Sequence, residues 1–331
     1  MKFKIKLGLA SIAVALVVMA LHTRHVVVAA NGEESASRTM ALTFDDLPYA
    51  FYNLNDSGGL PRAQRVTTSL LRSLAVHHAQ VVAFVNEGKL GAGSDREARI
   101  ALVQQWVDAG GVLGNHTFSH ADFNMLTIEE FRDEILKGES VIRQLMQSRQ
   151  PLHLYFRHPY THTGDTTAKK EAIEQFLAMH GYQIGPHTVD SSDFIFNAGY
   201  VHVLNKEDLA TATRIRAAYL DFVIRATEFA EHISPQVFGR DIPQTILLHA
   251  NDINADSLDE LLKRLEKRGY RFVTLDNVMN DPAYQAKDKF VTKFGPTWLW
   301  RWRQSLGLTV TFRDDPEPPD WVLELFNVSK D

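Results

Sequence analysis

The 331-residue sequence contains no cysteine. Disulfides, thiolate zinc sites, iron–sulfur clusters and thiol catalysis are thereby excluded, so any metal must be held by His, Asp or Glu. A chain of this length builds its core without cross-links. An excess of charge of one sign is also missing. Lys and Arg number 35 against 40 Asp and Glu, a net charge of −5, with no long basic or acidic run. The electrostatic footprint of a nucleic-acid partner is therefore absent, and no feature implies a protein partner. At the N-terminus the uncharged apolar run Leu7 to Leu21 has 15 residues, fewer than the ~20 needed to span a bilayer. Lys2, Lys4 and Lys6 precede it, and "VVVAA" brings small residues up to Ala30. Residues 1–30 thus read as an export signal, with an uncleaved membrane anchor as the alternative, and the destination is periplasmic or extracellular.

What the sequence does have is alternation. Short apolar runs ("MALTF", "QVVAFV", "GGVLGN", "LHLYF", "HTVD", "QTILL", "YRFVTL") recur between residues 40 and 276. They have the composition of strands buried on both faces. Helical patterns separate them. In "LTIEEFRDEILKGESVIRQLM", Thr127 and Glu130 form a capping box, with Leu126 and Phe131 as a staple. "SLDELLKRLEKRGY" carries Leu on one helical face and a stop at Gly269. Ionisable residues follow five of the runs: Asp45 and Asp46, His116, Arg157, Asp190 with Asp193, and His249. Strand ends converge on one mouth in a barrel, whereas in an open sheet they spread along a line. The expected fold is therefore α/β, a distorted (β/α)7 TIM-like barrel over residues 31–280. Residues 195–243 are read as an inserted helical segment near the mouth, with a helix from Leu209 to Ile233. Residues 281–331 are read as a C-terminal extension in which Trp298, Trp300 and Trp302 pack on the barrel rather than stack on a sugar.

Several short stretches carry chemistry-bearing side chains. "GNHTFSH" sets His116 and His120 four apart, a weak metal signal alone among 14 histidines; two helix-start histidines satisfied by carbonyls would look the same. "LTFDD" ends an apolar strand with two carboxylates, costly near a core unless something offsets their charge. Neighbours on an extended chain point in opposite directions, so one carboxylate can face a cation and the other a different partner; an acidic first helical turn is the bland alternative. "FRHPY" supplies Arg157, which can keep a carboxylate ionised and aimed, and Pro159, which fixes the backbone so that Tyr160 N–H can face an oxyanion. "ILLHAND" ends the sixth apolar run with His249, and "DSSDF" offers Asp190 and Asp193 to hold its imidazole in the proton-donating form. Together, Asp, His and His form a ligand set suited to Zn²⁺ or another divalent transition metal, with a separate base and acid for metal-assisted hydrolysis.

These motifs, in this order over about residues 40–280, resemble the polysaccharide deacetylases of the NodB-homology type, carbohydrate esterase family 4. The resemblance implies that "TFDD" supplies the base Asp45 and the metal ligand Asp46, and that "HTFSH" supplies the ligands His116 and His120. "RHPY" then gives Arg157 to orient Asp45 and Tyr160 as backbone oxyanion donor, and "ILLH" gives the acid His249. "DSSDF" is similar to D-x-x-D-W, with Phe194 in place of the tryptophan that walls the acyl pocket, and Leu47 stands where the family often has glycine. Phe194, Pro159 and Leu247 are the expected pocket residues. The implied function is an exported, metal-dependent hydrolase that removes N-acetyl groups from an amino-sugar glycan such as peptidoglycan, chitin or poly-N-acetylglucosamine. The alternatives are an O-acetyl xylan esterase or non-sugar amide hydrolase on the same barrel, a catalytically decayed glycan-binding protein, and an Fe(II) oxygenase built on two His and a carboxylate.

Overall fold

A computed structural model describes residues 38–50, 59–148, 154–309 and 315–329. The export-signal reading falls on residues 1–30, outside the described residues. Among the described residues no helix is long and apolar enough to cross a membrane.

Eight strands among the described residues form a single sheet whose pairings are all parallel: β1 (Arg38–Leu47), β2 (Val81–Val85), β3 (Val112–Asn115), β4 (Leu154–Phe156), β5 (Tyr182–Ile184), β6 (Val189–Asp190), β7 (Gln244–His249) and β8 (Tyr270–Phe272). The order is β5-β4-β3-β2-β1-β7-β6, with β8 paired to the start of β1. The sheet is a curled, open barrel with β5 and β6 at its two edges, in agreement with the α/β barrel expected from the sequence. β1 is the hub. Its residues 38–40 pair with β8, 40–45 with β7, and its C-terminal half with β2. Such a strand is covered on both faces, and Met40 to Asp45 are all buried.

One strand went unread in the sequence. Tyr182–Ile184 is only three residues long with an exposed Gln183 in the middle, too short and too polar to register as an apolar run. Asp190 therefore ends the sixth strand and His249 the seventh.

The long helical pattern after residue 126 divides into Ile128–Lys137 and Ser140–Met146. The first has the expected capping box of Thr127 and Glu130. The break falls at Gly138, where a Cβ would lie 2.7 Å from the Thr117 carbonyl carbon. A glycine is needed there because the loop after β3 packs directly on the helix end. The inserted segment forms two helices, Asp193–Leu204 and Leu209–Phe238; the second runs past Ile233 despite Pro235. Ile215, Tyr219, Phe222, Ala226 and Ile233 are buried along it, as the 3.6-residue period requires. Trp298, Trp300 and Trp302 are all buried in the helix Trp298–Ser305. Trp302 packs on Phe238 and Tyr284 at ring separations of 5.5 and 5.1 Å, and donates from Nε1 to the Ala286 carbonyl. The tryptophans are packing residues.

Candidate active site

Strand register brings the ionisable residues together. Asp45 on β1 pairs with His249 on β7, and Asn115 on β3 with Phe156 on β4. His116 and Arg157 are the next residue along in each case, so they leave the sheet side by side. The pairing of β1 with β2 slips between Phe44 and Leu47. At that bulge Asp46 takes a left-handed φ of 71°, a conformation Asp tolerates better than most side chains. The two aspartates consequently do not point apart as on a regular strand. Asp45 Oδ2 and Asp46 Oδ1 lie 3.8 and 3.9 Å from the same His116 Nε2.

The two histidines are not on a helix. His116 follows β3 in a loop with left-handed Thr117 (φ 64°) and His120 (φ 60°). Side chains hold this loop in shape. Asn115 Oδ1 accepts from Thr117 N at 2.8 Å, Asn86 Nδ2 donates to the His116 carbonyl, and Phe118 N donates to the Glu134 carbonyl at 3.0 Å. His116 Nδ1 lies 2.7 Å from the Arg157 carbonyl. It therefore donates there and leaves Nε2 with its lone pair toward the site, the tautomer a metal ligand needs. Burial holds the His116 pKa well below its usual value, and it lowers His120 as well. Both imidazoles are neutral at neutral pH, ready to ligate. Ligand atoms of Asp46, His116 and His120 all lie within 4.8 Å of one another. Asp46 Oδ1 is buried and accepts no hydrogen bond of good geometry, although Lys89 Nζ lies 3.0 Å away. Neutral imidazole nitrogens around an under-satisfied carboxylate oxygen can hold a metal ion.

Lys89 escaped the sequence reading. It lies on the short turn Glu87–Leu90 just after β2, and Glu87 anchors that turn by accepting from Val141 N and Ile142 N at 2.6 and 3.0 Å. Position beyond a strand's C-terminal end was the available signal, but its run ended in Val85 and no motif marked the lysine. Burial opposes the ionisation of Asp46, but Lys89, then His120, His249 and His116 outweigh it and keep the carboxyl well below the usual range.

Asp45 behaves oppositely. Burial pushes its pKa up to about 6 against the pull of Arg157 and His249. Arg157 is fully buried and donates from Nη1 to Asp45 Oδ2 at 3.3 Å, from Nη2 to Thr43 Oγ1 at 3.0 Å and from Nε to the Gly185 carbonyl at 2.8 Å. Three fixed acceptors aim one guanidinium at one carboxylate. Across the mouth, His249 Nδ1 lies 2.6 Å from Asp193 Oδ1, while Asp193 Oδ2 accepts from His249 N at 2.7 Å. Burial would lower the His249 pKa, but Asp193 outweighs it and raises it to about 9. Of the two carboxylates offered to His249, only Asp193 reaches it: Asp190 Oδ1 accepts from Ser192 N at 2.7 Å and caps its own turn. Asn254, also unread in the sequence, donates to Asp193 Oδ2. Phe194 is 49% exposed beside His249, with ring centroids 6.4 Å apart. Pro159 and Leu247 are buried, the first opening the turn that carries Tyr160 and the second on β7. Tyr160 packs its ring on His120 at 4.6 Å.

A candidate metal site flanked by an arginine-paired carboxylate and an aspartate-paired imidazole, at the C-terminal ends of parallel strands, is an arrangement able to support metal-assisted hydrolysis on an α/β barrel. The model for the family described as polysaccharide deacetylase matches residues 32–177, and over that stretch the chain resembles polysaccharide deacetylases of the carbohydrate esterase family 4 type. Among curated proteins it is 26% identical over 250 residues to a chitin deacetylase of Arthroderma benhamiae, covering 74% of this chain and 52% of that protein. It is 22% identical over 245 residues to a peptidoglycan-N-acetylglucosamine deacetylase of Bacillus cereus, covering 72% and 67%. The chain thus spans about half the length of the first and two thirds of the second. A solved mutant of a family 4 pseudoenzyme with restored activity superposes at a TM-score of 0.50 with 17% identity, covering 74% of this chain and 69% of that one; it supports the fold.

Proposed function

We propose that this protein is an exported, metal-dependent hydrolase that removes N-acetyl groups from an amino-sugar glycan. The proposal takes residues 1–30 as signal, 31–280 as the catalytic barrel and 281–331 as an extension on it. The observation that carries it is the convergence on one mouth of the Asp46–His116–His120 cluster, the Asp45–Arg157 pair and the Asp193–His249 pair. The activities of the relatives, on chitin and on peptidoglycan, suggest the substrate class.

In this reading Asp46, His116 and His120 hold zinc or another divalent transition metal. The bound cation supplies Lewis acidity for the acetyl carbonyl and acidifies a water. Asp45 takes the proton of the attacking water, and Arg157 keeps its carboxylate aimed. The Tyr160 N–H receives the developing oxyanion. His249, kept protonated by Asp193, gives its proton to the departing amine. Phe194, Pro159 and Leu247 line the acyl side.

The test is acetate release from peptidoglycan, chitin oligomers, poly-N-acetylglucosamine and acetylated xylan. Release from the amino-sugar polymers supports the reading. Release from xylan alone would make the protein an O-acetyl esterase, and metal-replete protein inert on all four would make it a glycan-binding relative without turnover.

A further inference from the structure

The C-terminal extension lies outside the match to the family model, yet it grips the turn that carries Tyr160. Arg301, 0% exposed, donates from Nη2 to the Thr161 carbonyl at 2.9 Å and from Nη1 to Thr163 Oγ1 at 2.9 Å and Asp288 Oδ2 at 3.0 Å. Lys170 Nζ ties Asp288 to the barrel at 2.6 Å. A little earlier in the chain, Gly295 approaches so closely that a Cβ would lie 1.9 Å from the Tyr160 carbonyl oxygen and 2.9 Å from Thr161 Cβ. Asn124 Nδ2 donates to the Lys293 carbonyl at 3.0 Å, and Trp298 N to the His187 carbonyl at 2.8 Å, fixing both ends of this strap.

The turn itself needs holding. Tyr160 and Thr161 have φ of 55° and 56°, the left-handed region, which is uncommon for an aromatic residue and an outlier for a β-branched one. Two such residues in succession persist only where the surroundings over-determine them. From these contacts we infer that the strap 293–301 is a positioning element of the oxyanion turn, with Arg301 the positioning residue and Gly295 the close packing that aims the Tyr160 peptide. The inference rests on the reading of Tyr160 as oxyanion donor. Arg301 does not touch the substrate; it acts through Thr161.

Gly295→Ala and Arg301→Lys test it in the full-length protein. The first pushes on the Tyr160 carbonyl; the second keeps a cation beside Asp288 but cannot span the acceptors of a guanidinium fork. Both variants are expected to keep wild-type metal stoichiometry and a KM within about threefold of wild type. Their kcat should fall by roughly 10- to 100-fold, the scale of a small misplacement of catalytic geometry. Amide hydrogen exchange over residues 160–163 should speed up while the rest of the barrel stays protected. Wild-type kcat alongside faster exchange would reduce the strap to a packing role, and unchanged exchange at the turn would overturn the inference outright. If Gly295→Ala does not fold, Arg301→Lys carries both readouts. A wild-type protein that releases no acetyl group from any glycan would instead defeat the functional reading, and the exchange arm would still report whether the strap holds the turn.

Discussion

The proposed metal-ligand wall and the proposed proton-transfer wall of the mouth solve opposite problems. Asp46, His116 and His120 sit on a bulge and a loop with left-handed residues, and their ligating atoms face one another with few hydrogen-bond partners. Asp45 and His249 sit on paired strands, each clamped by an opposite charge, Arg157 at 3.3 Å and Asp193 at 2.6 Å. One wall leaves valences for a guest, while the other pairs each charge with its opposite and leaves Asp45 Oδ1 unbonded. Adjacent residues Asp45 and Asp46 show the contrast most sharply. Burial wins at Asp45 and lifts its pKa to about 6, whereas neighbouring cations win at Asp46 and depress its pKa. A carboxylate that holds a proton near neutrality suits a base, and one that stays ionised suits a ligand.

The largest effect that this contrast predicts is loss of turnover on metal removal. Chelation should abolish acetate release and re-addition of Zn²⁺ should restore it, with the far-ultraviolet circular dichroism unchanged because the proton-transfer wall needs no metal to hold its shape. Unfolding on chelation would erase the distinction between the walls.

Next in size, His249→Ala should retain metal and lower turnover on amide substrates by about 10² to 10⁴, the usual worth of a positioned acid. Ester substrates, whose leaving group needs less help, should lose less. Equal losses on both would remove His249 from the protonation step.

A smaller change sharpens the pH behaviour. In the proposed mechanism Asp45 works ionised, so kcat/KM should rise with pH through a limb at or below about 6; His249 works protonated there, so it should fall through a limb at or below about 9. A bound cation favours the deprotonated forms and moves both limbs down, not up. Asp193→Asn removes the main influence raising the His249 pKa but only a minor one raising the Asp45 pKa, so the alkaline limb should shift to lower pH by more than the acid limb. An unmoved alkaline limb would assign it to another group.

The smallest effect concerns acyl choice. Phe194→Trp should narrow the range of acyl groups accepted beyond acetyl by only about 1–3 kcal/mol of discrimination per methylene. Rates measured against acyl length would be identical for the two proteins if Phe194 stands clear of the pocket.

Much of this architecture was legible before any coordinates. Apolar runs marked the strands, and the charged residues at their ends marked the mouth, because only a strand end can place a charge there without burying it in the sheet. The capping box at Thr127 was readable for a similarly local reason. What stayed hidden depends on distant contacts. Gln183 disguised β5. The left-handed turn at Asp46 arises from a register slip with β2, so two carboxylates expected to diverge converge on His116. Lys89 carries no motif, and its role follows from where Glu87 pins its turn. The grip of Arg301 on Thr161 spans 140 residues of sequence, and nothing local to either announces the other.

The division of labour between Asp45 and Asp46 is the central claim, and metal content tests it most directly. Elemental analysis of purified Asp45→Asn and Asp46→Ala variants should find stoichiometric metal in the first and little in the second. Two imidazoles alone hold Zn²⁺ weakly and bring no charge to offset its own. Acetate release should be nearly lost in both: in the first because an amide can neither accept the water's proton nor pair as an anion with Arg157, in the second because the metal is gone. A metal-free Asp45→Asn beside a metal-replete Asp46→Ala would contradict the account and reverse the two roles.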